Sequence, residues 1–521
     1  MLSEGSFHMI SFRKLITSNR LFSWNAVYSI PLLTSAVLLV HGLFLGLTDD
    51  EAYYWVLAQS PALGYAYHPP AVAWVIALTQ AIVSPFFGAH SLWVVRLPSA
   101  LGAGGILYLA LNWVRRAGGA SDRLSAAGVL LLSFAGFFGL AWMMVPDIPL
   151  FLAWTLAFSV TWNLCFEKKC ADREYFWLGF AVMFLILSKY SGVLAAFSAA
   201  SCLFIWAPRS RFWRGAGAIA IGAVAASVPI IIWNATHEWT SILYQISERH
   251  QGGDLSLVRY ARFWAIEALV AGPCLLIYGA KIFRRSFLFS NRGTETGTQE
   301  LETRVGRFAL LWAGPGALVF LLQPLWADFK PHWAFVVWWP LFLTLAWAVS
   351  RGRDLKWART QMLYGLPLAA FILLSCHLPI GGLLMKDPRL DVTNDLYGWS
   401  DLREFIGTNL PDELKLPIIG SRYQTAAQAA FAIGRDGKAS LLPLDLKAKD
   451  EWPDLGVSHG VGPEWPRLTS PVLFVSDNRY DSGPAFPDAK CRKLARLEKK
   501  RWIYLAKWID VWRCEPGASP P

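Results

Sequence analysis

The chain has 521 residues, of which 55% are hydrophobic and only 16% charged, with 27 tryptophans and a formal net charge of +11. So apolar a composition excludes a soluble globular protein of this length and marks a membrane protein. The basic excess lies in short loops between apolar runs, where it anchors, and a nucleic-acid partner is excluded.

In chain order, eleven stretches have the length and apolarity of membrane spans: 26–46, 91–113, 124–144, 148–165, 175–190, 191–207, 215–233, 260–283, 306–326, 333–350 and 361–385. A further apolar run, 71–87, is bracketed by Pro69, Pro70 and Pro85 and reads as an interfacial or re-entrant helix. Ser188-Lys189-Tyr190-Ser191-Gly192 breaks what could otherwise be one long helix. Alternate loops carry Arg115 and Arg116, Lys168 and Lys169, Arg209 and Arg211, Arg284 and Arg285, and Arg351 and Arg353, so these loops are expected on the cytoplasmic side. The segment Ser286 to Arg304 is polar and reads as a flexible cytoplasmic loop. Arg13, Lys14 and Arg20 place the N-terminus inside, and no small-residue cleavage site follows the first span, which is expected to stay as an anchor. Eleven spans then put everything from about residue 386 outside.

From Lys386 onward charge, Pro and Asp rise. Short β-like runs at Pro417 to Ile419, Pro471 to Val475 and Trp502 to Ala506 alternate with helical patterns at Asp401 to Ile406 and Thr425 to Ile433. Two domains are therefore expected: a mainly α, polytopic membrane bundle over 1–385 and a small soluble α/β domain over 386–521. No phosphate-binding glycine loop and no dinucleotide fingerprint occurs. Five cysteines lie in or beside spans; Cys491 and Cys514 alone fall in the outer domain, around a predicted hairpin, and a disulfide between them is expected.

Ionisable residues collect on one side. Asp49, Asp50, Glu51 and His68 fall on the first outer loop, Asp147 on the second, and Lys189 with Tyr190 on the third. His250 follows on the fourth, and Asp328, Lys330 and His332 on the fifth. Ionisable groups at a membrane boundary are costly, so their gathering on successive loops points to a functional site. Simpler roles stay open for single members: the acidic run as a solvated loop end, Arg96 snorkelling at a span end, Asp147 as a helix N-cap, and His68 as a loop histidine held by Pro69-Pro70. A lipid-linked sugar transporter or flippase is the alternative class, but the chain shows no repeat and its charges gather at one face.

Several motifs in fixed order carry a family resemblance: Asp50-Glu51-Ala52-Tyr53-Tyr54, the stretch Gly64 to Pro70 ending in His68-Pro69-Pro70, Arg96-Leu97-Pro98-Ser99-Ala100, Pro146-Asp147-Ile148-Pro149-Leu150, Ser188-Lys189-Tyr190 and Lys330-Pro331-His332-Trp333. The set resembles the GT-C class of polyprenyl-phosphate-sugar glycosyltransferases. Its nearest likeness is to the lipid A aminoarabinose transferase and lipopolysaccharide galacturonosyltransferase branch, and it is more distantly similar to protein O-mannosyltransferases. Over the outer domain the likeness rests on Ser421-Arg422-Tyr423-Gln424 leading into an Ala-rich helix. The resemblance implies a GT-C bundle in a bacterial inner membrane, a polyprenyl-phosphate sugar donor and a glycolipid or glycan acceptor such as lipid A or the lipopolysaccharide core. It implies Asp50 as the catalytic base, with Glu51 and Asp147 orienting the acceptor or sharing that work. Lys189, Lys330, His332, His68 and Arg96 become candidates for the donor phosphate, and Tyr54 and Tyr190 for substrate contacts. Family members often carry Lys where this chain has His68, and some an acidic metal ligand where it has Tyr67, which leaves a divalent metal undecided.

Overall fold

The computed structural model describes residues 26–248, 252–288, 297–413, 416–434, 441–443, 467–479 and 483–517. Among these residues, seven helices are long and apolar enough to cross a membrane: Ala26–Leu43, Leu92–Arg116, Asp147–Phe166, Arg209–Thr236, Gly297–Leu325, Pro331–Ser350 and Leu355–His377. An eighth candidate is a bent pair, Leu257–Ala271 and Pro273–Phe287, turned by 97° at the break. Gly272 makes this break with φ +96°, a conformation that glycine enters without a Cβ penalty, and Pro273 restarts the helix at a position where its missing N–H costs nothing.

The other predicted spans fold into shorter pieces. The 124–144 stretch gives Leu124–Leu132 and a single turn at Ala135–Phe138, and 175–207 gives Arg173–Ser188 and Val193–Trp206, parted at Lys189 as its sequence break suggests. The run 71–87 is the helix Ala71–Phe87, shorter than a full span. The Ser286 to Arg304 segment is not a loop throughout: Gly297–Phe320 is one helix, so its second half is ordered, while 289–296 lie outside the described residues.

Two helices form the centre. Pro331–Ser350 is wholly enclosed and Asp147–Phe166 nearly so, as expected for helices apolar on every side. The Trp339 indole donates to Thr155 Oγ1 at 2.9 Å and the Trp347 indole to the Ala117 carbonyl at 2.8 Å, so the large rings fill the core without leaving these polar atoms unpaired. At the periphery, Arg209–Thr236 keeps Ile221, Val224, Val228 and Ile232 exposed, an apolar surface suited to lipid. It packs closely on Arg173–Ser188 at Gly222, where a Cβ would stand 2.2 Å from the Gly179 carbonyl oxygen.

The C-terminal region holds a five-stranded sheet, β1 Ile418–Gly420, β2 Leu441–Pro443, β3 Val472–Asp477, β4 Lys490–Arg501 and β5 Tyr504–Glu515, in the order β2-β1-β3-β5-β4. β1 runs parallel to β2 and β3, while β5 is antiparallel to β3 and β4. The β4–β5 hairpin turns at Trp502, with φ +57°, inside the run predicted as a strand. Cys491 and Cys514 face each other across that pair and are joined by a disulfide. Helices Trp399–Asn409 and Tyr423–Ile433 pack on the sheet. The same apolar cluster contains Trp55, Val56 and Val72 from the first loop beside Ala426, Ile418, Phe474 and Val511. The helix Asp49–Gln59 is thus packed in the core of the C-terminal region and is not a free loop.

Candidate active site

The helix Asp49–Gln59 opens with three carboxylates, and the structure sends each in a different direction. Thr48 caps the helix: its hydroxyl accepts the Glu51 amide at 3.4 Å and its own amide donates to Glu51 Oε2 at 3.0 Å, a reciprocal capping box. Negative charge in a first helical turn is favoured by the helix dipole, which offsets part of the repulsion among the three.

Glu51 turns inward. It pairs with Arg96, both side chains fully buried, and accepts the Met144 amide at 2.8 Å. The Arg96 guanidinium also donates to the Gly46 carbonyl at 2.7 Å and lies 4.4 Å from the Trp142 ring centroid. Neither residue lines the cavity described below. Glu51, expected to orient an acceptor, and Arg96, expected at a phosphate or a span end, are thus found paired with each other away from the cavity lining. Two charges this deeply buried persist because each satisfies the other.

Asp49 turns toward the C-terminal region, where it meets Arg479 at 2.5 Å and accepts from the Gln428 amide at 3.2 Å. Asp50 faces a cavity of about 720 Å³. The cavity collects Asp50, Tyr53 and Tyr54 from this helix, Tyr67 and His68 from the same loop, and Asp147 from the next. Lys189 and Tyr244 reach it from two further connections, Asp328, Lys330, His332 and Trp333 from another, and Tyr423 from the C-terminal region. Phe137, Phe329 and Phe335 make part of its wall apolar.

Within the cavity, Lys189 Nζ lies 3.0 Å from Asp147 Oδ1. Asp147 is the first residue of its helix, with Pro146 in the capping position and no side-chain cap bond, so the N-cap role does not apply. His68 stands edge-on to Tyr54 with ring centroids 5.4 Å apart, and Tyr67 packs on Tyr244 at 4.8 Å. Lys330 is exposed and makes no ion pair among the described residues. Tyr190 departs from expectation: it lies behind the cavity wall, packed against the Ala71, Leu187, Ala226 and Ile230 cluster, with its hydroxyl 2.5 Å from Ser241 Oγ. His250 lies outside the described residues.

Asp50 is open to the cavity yet set deep in the fold. That depth and the neighbouring Asp49 charge raise its carboxyl to a pKa of about 6, with Glu51 and Asp147 adding to the rise and Lys330 opposing it. Such a carboxylate is ionised at neutral pH and still basic enough to take a proton in a reaction. Among the described residues no group of three or more His, Cys, Asp or Glu side chains is placed to hold a metal ion. Tyr423, Tyr244 and Tyr67 were not predicted as site residues; Tyr67 lies in the Gly64 to Pro70 motif and Tyr423 in Ser421-Arg422-Tyr423-Gln424, while no motif marked Tyr244.

Comparison with known proteins agrees with this architecture. Residues 67–233 match the family model of dolichyl-phosphate-mannose-protein mannosyltransferases. The chain is 25% identical over 501 residues to the lipid A galacturonosyltransferase RgtD of Rhizobium johnstonii, covering 91% of this chain and 94% of that one. Its fold is similar to that of ArnT from Cupriavidus metallidurans, with TM-score 0.61 both for the form bound to undecaprenyl phosphate, at 12% identity, and for the apo form, at 11%. Each ArnT match covers 94% of this chain and 98% of the other. Together these matches show a polytopic membrane chain with an ArnT-like fold, similar in sequence to known glycosyltransferases.

Proposed function

We propose that the cavity moves one sugar from a polyprenyl-phosphate donor to lipid A or a related cell-envelope glycolipid, at the outer face of a bacterial inner membrane. One observation carries this reading: the cavity brings a proton-accepting carboxylate, Asp50, together with basic groups that arrive on separate loops, Lys189, Lys330, His68 and His332. The relative named as a lipid A galacturonosyltransferase and the similar fold that binds undecaprenyl phosphate support the two substrate classes.

In the proposed step the acceptor hydroxyl oxygen attacks the anomeric carbon, its proton passes to Asp50, and the bond from that carbon to the donor phosphate oxygen breaks. Positive charge is required where the phosphate leaves. Lys330 supplies it most directly, because the Lys189 ammonium is engaged by Asp147. His332 and His68 complete the basic lining, and Asp147 with Tyr54 positions substrate. The apolar wall of Phe137, Phe329 and Trp333 suits a polyprenyl chain. The reading includes a membrane part ending near residue 385 and a region from 386 that faces outside with the cavity.

Mass spectrometry of envelope glycolipids from cells with the gene, without it, and with only Asp50→Asn tests the proposal. A sugar present in the first and missing from the other two names donor and acceptor together. Identical glycolipids in all three overturn it.

A further inference from the structure

We propose that Arg479, on the C-terminal sheet region, is a positioning residue for catalysis: by holding the Asp49 charge away from the cavity it keeps Asp50 an available proton acceptor. This rests on the reading of Asp50 as the base.

Arg479 follows the end of β3 and its guanidinium meets three carboxylates, Asp49 at 2.5 Å, Asp395 at 2.6 Å and Asp477 at 2.7 Å. A second contact to Asp49, at 3.3 Å, makes that grip two-pronged, the geometry for which a guanidinium fork is suited and an ammonium is not. Lys507 adds a second cation, 3.3 Å from both Asp395 and Asp477. Three carboxylates thus face two cations, and Asp477, with no exposed side-chain surface, already draws on both. Arg479 and Asp49 keep only 14% and 16% of their side-chain surface exposed, so water and salt screen this charge poorly. Loss of Arg479 therefore leaves Asp49 as an uncompensated negative charge on the residue next to Asp50.

The groups around Asp50 make Asp49 the decisive neighbour. On its own helix stand Asp49 and Glu51, and Glu51 is neutralised by Arg96. From the elements packed opposite come Asp147, already paired with Lys189, then Lys330, Asp328, His68 and His332. Of the nearby carboxylates, Asp49 is the one whose charge is controlled from the C-terminal sheet.

The test is the acid limb of kcat against pH, at saturating donor and acceptor, for full-length protein in lipid nanodiscs. Arg479→Gln is expected to move the limb upward by about one pH unit, read as about tenfold less activity below it. Asp49→Asn in the Arg479→Gln background is expected to return the limb to the wild-type midpoint or below, because no charge then remains to be held. Arg479→Lys, which keeps the charge but not the two-pronged grip, should move the limb less than Arg479→Gln. A merely structural tether predicts lower stability with an unmoved midpoint and no recovery in the double variant, and that result overturns the inference. If Arg479→Gln does not fold, Arg479→Lys carries the test: a smaller upward shift that Asp49→Asn reverses supports the inference, and an unmoved limb overturns it. A wild-type profile with no acid limb at all marks failure of the base assignment instead.

Discussion

The strongest expectation is that turnover is governed by a single carboxyl titrating near pH 6. The perturbation is pH itself, applied between 5 and 8. With Asp50 at about 6, roughly nine-tenths of the protein holds it as carboxylate at pH 7 and slightly under one-tenth at pH 5, so kcat should fall about tenfold. The sign follows from the role: a base works deprotonated, so activity is present above the pKa and lost below it. The donor phosphodiester does not titrate in this window. Groups that touch only the donor phosphate act on KM, so kcat at saturating donor isolates the carboxyl. Asp50→Asn removes the titrating group at nearly constant size and should cost about 10²- to 10⁴-fold in kcat, the usual span for a general base. Protein reconstituted in nanodiscs with purified donor gives both numbers. A kcat that is flat from pH 7 to pH 5, in protein that regains full activity on return to pH 7, refutes the assignment; so does an Asn variant within a fewfold of wild type.

Arg96→Met should destabilise the protein by about 3 to 5 kcal/mol, because it strands Glu51 without a partner in a fully buried position, and pairing it with Glu51→Leu should recover much of that loss; a thermal midpoint in detergent within 1 °C of wild type for the single variant contradicts the structural reading of the pair, on the scale of about 2 °C or more per kcal/mol. Lys330→Ala should raise the KM for donor about tenfold while changing kcat less, and an unchanged KM shifts the phosphate contact to Lys189 and the histidines. Reporter fusions after Arg285 and after Lys386 should read opposite sides of the membrane, since Lys and Arg favour alternate loops, and matching readings remove the outer-face placement.

The membrane class and most helices were legible because apolar length and Lys/Arg asymmetry are local signals. Local signals also found the break at Lys189 and the helix over 423–433. The site was legible as a set of loops, and Asp50, Asp147, Lys189, Lys330, His332, His68 and Tyr54 do share one cavity. What the sequence does not show is that the three carboxylates of the acidic run point to three different surroundings. Thr48 and Glu51 stand at capping-box spacing, a readable sign that Glu51 serves the helix start. Its partner Arg96 lies 45 residues away and Asp49's partner Arg479 lies 430 away, and no local pattern announces pairings across such distances. Tyr190 is parted from its neighbour for a related reason: Lys189 lines the cavity while Tyr190 packs with Ala71, Leu187, Ala226 and Ile230, partners distant in sequence.

The first-loop helix lies in one apolar cluster with residues 426–433 and 472–514, and this sets an order of events during synthesis. Trp55, packed edge-on against Phe431 at 5.1 Å, must wait for more than two-thirds of the chain to be made before its neighbour exists. Contacts of such sequence separation form late, because loop closure must precede any gain from packing. The nascent protein can therefore seat the helix of Asp50 on Arg96 and Met144 early, but only the arrival of the final strands completes its apolar packing. Truncation near the C-terminus then strips one apolar side from the helix that carries Asp50.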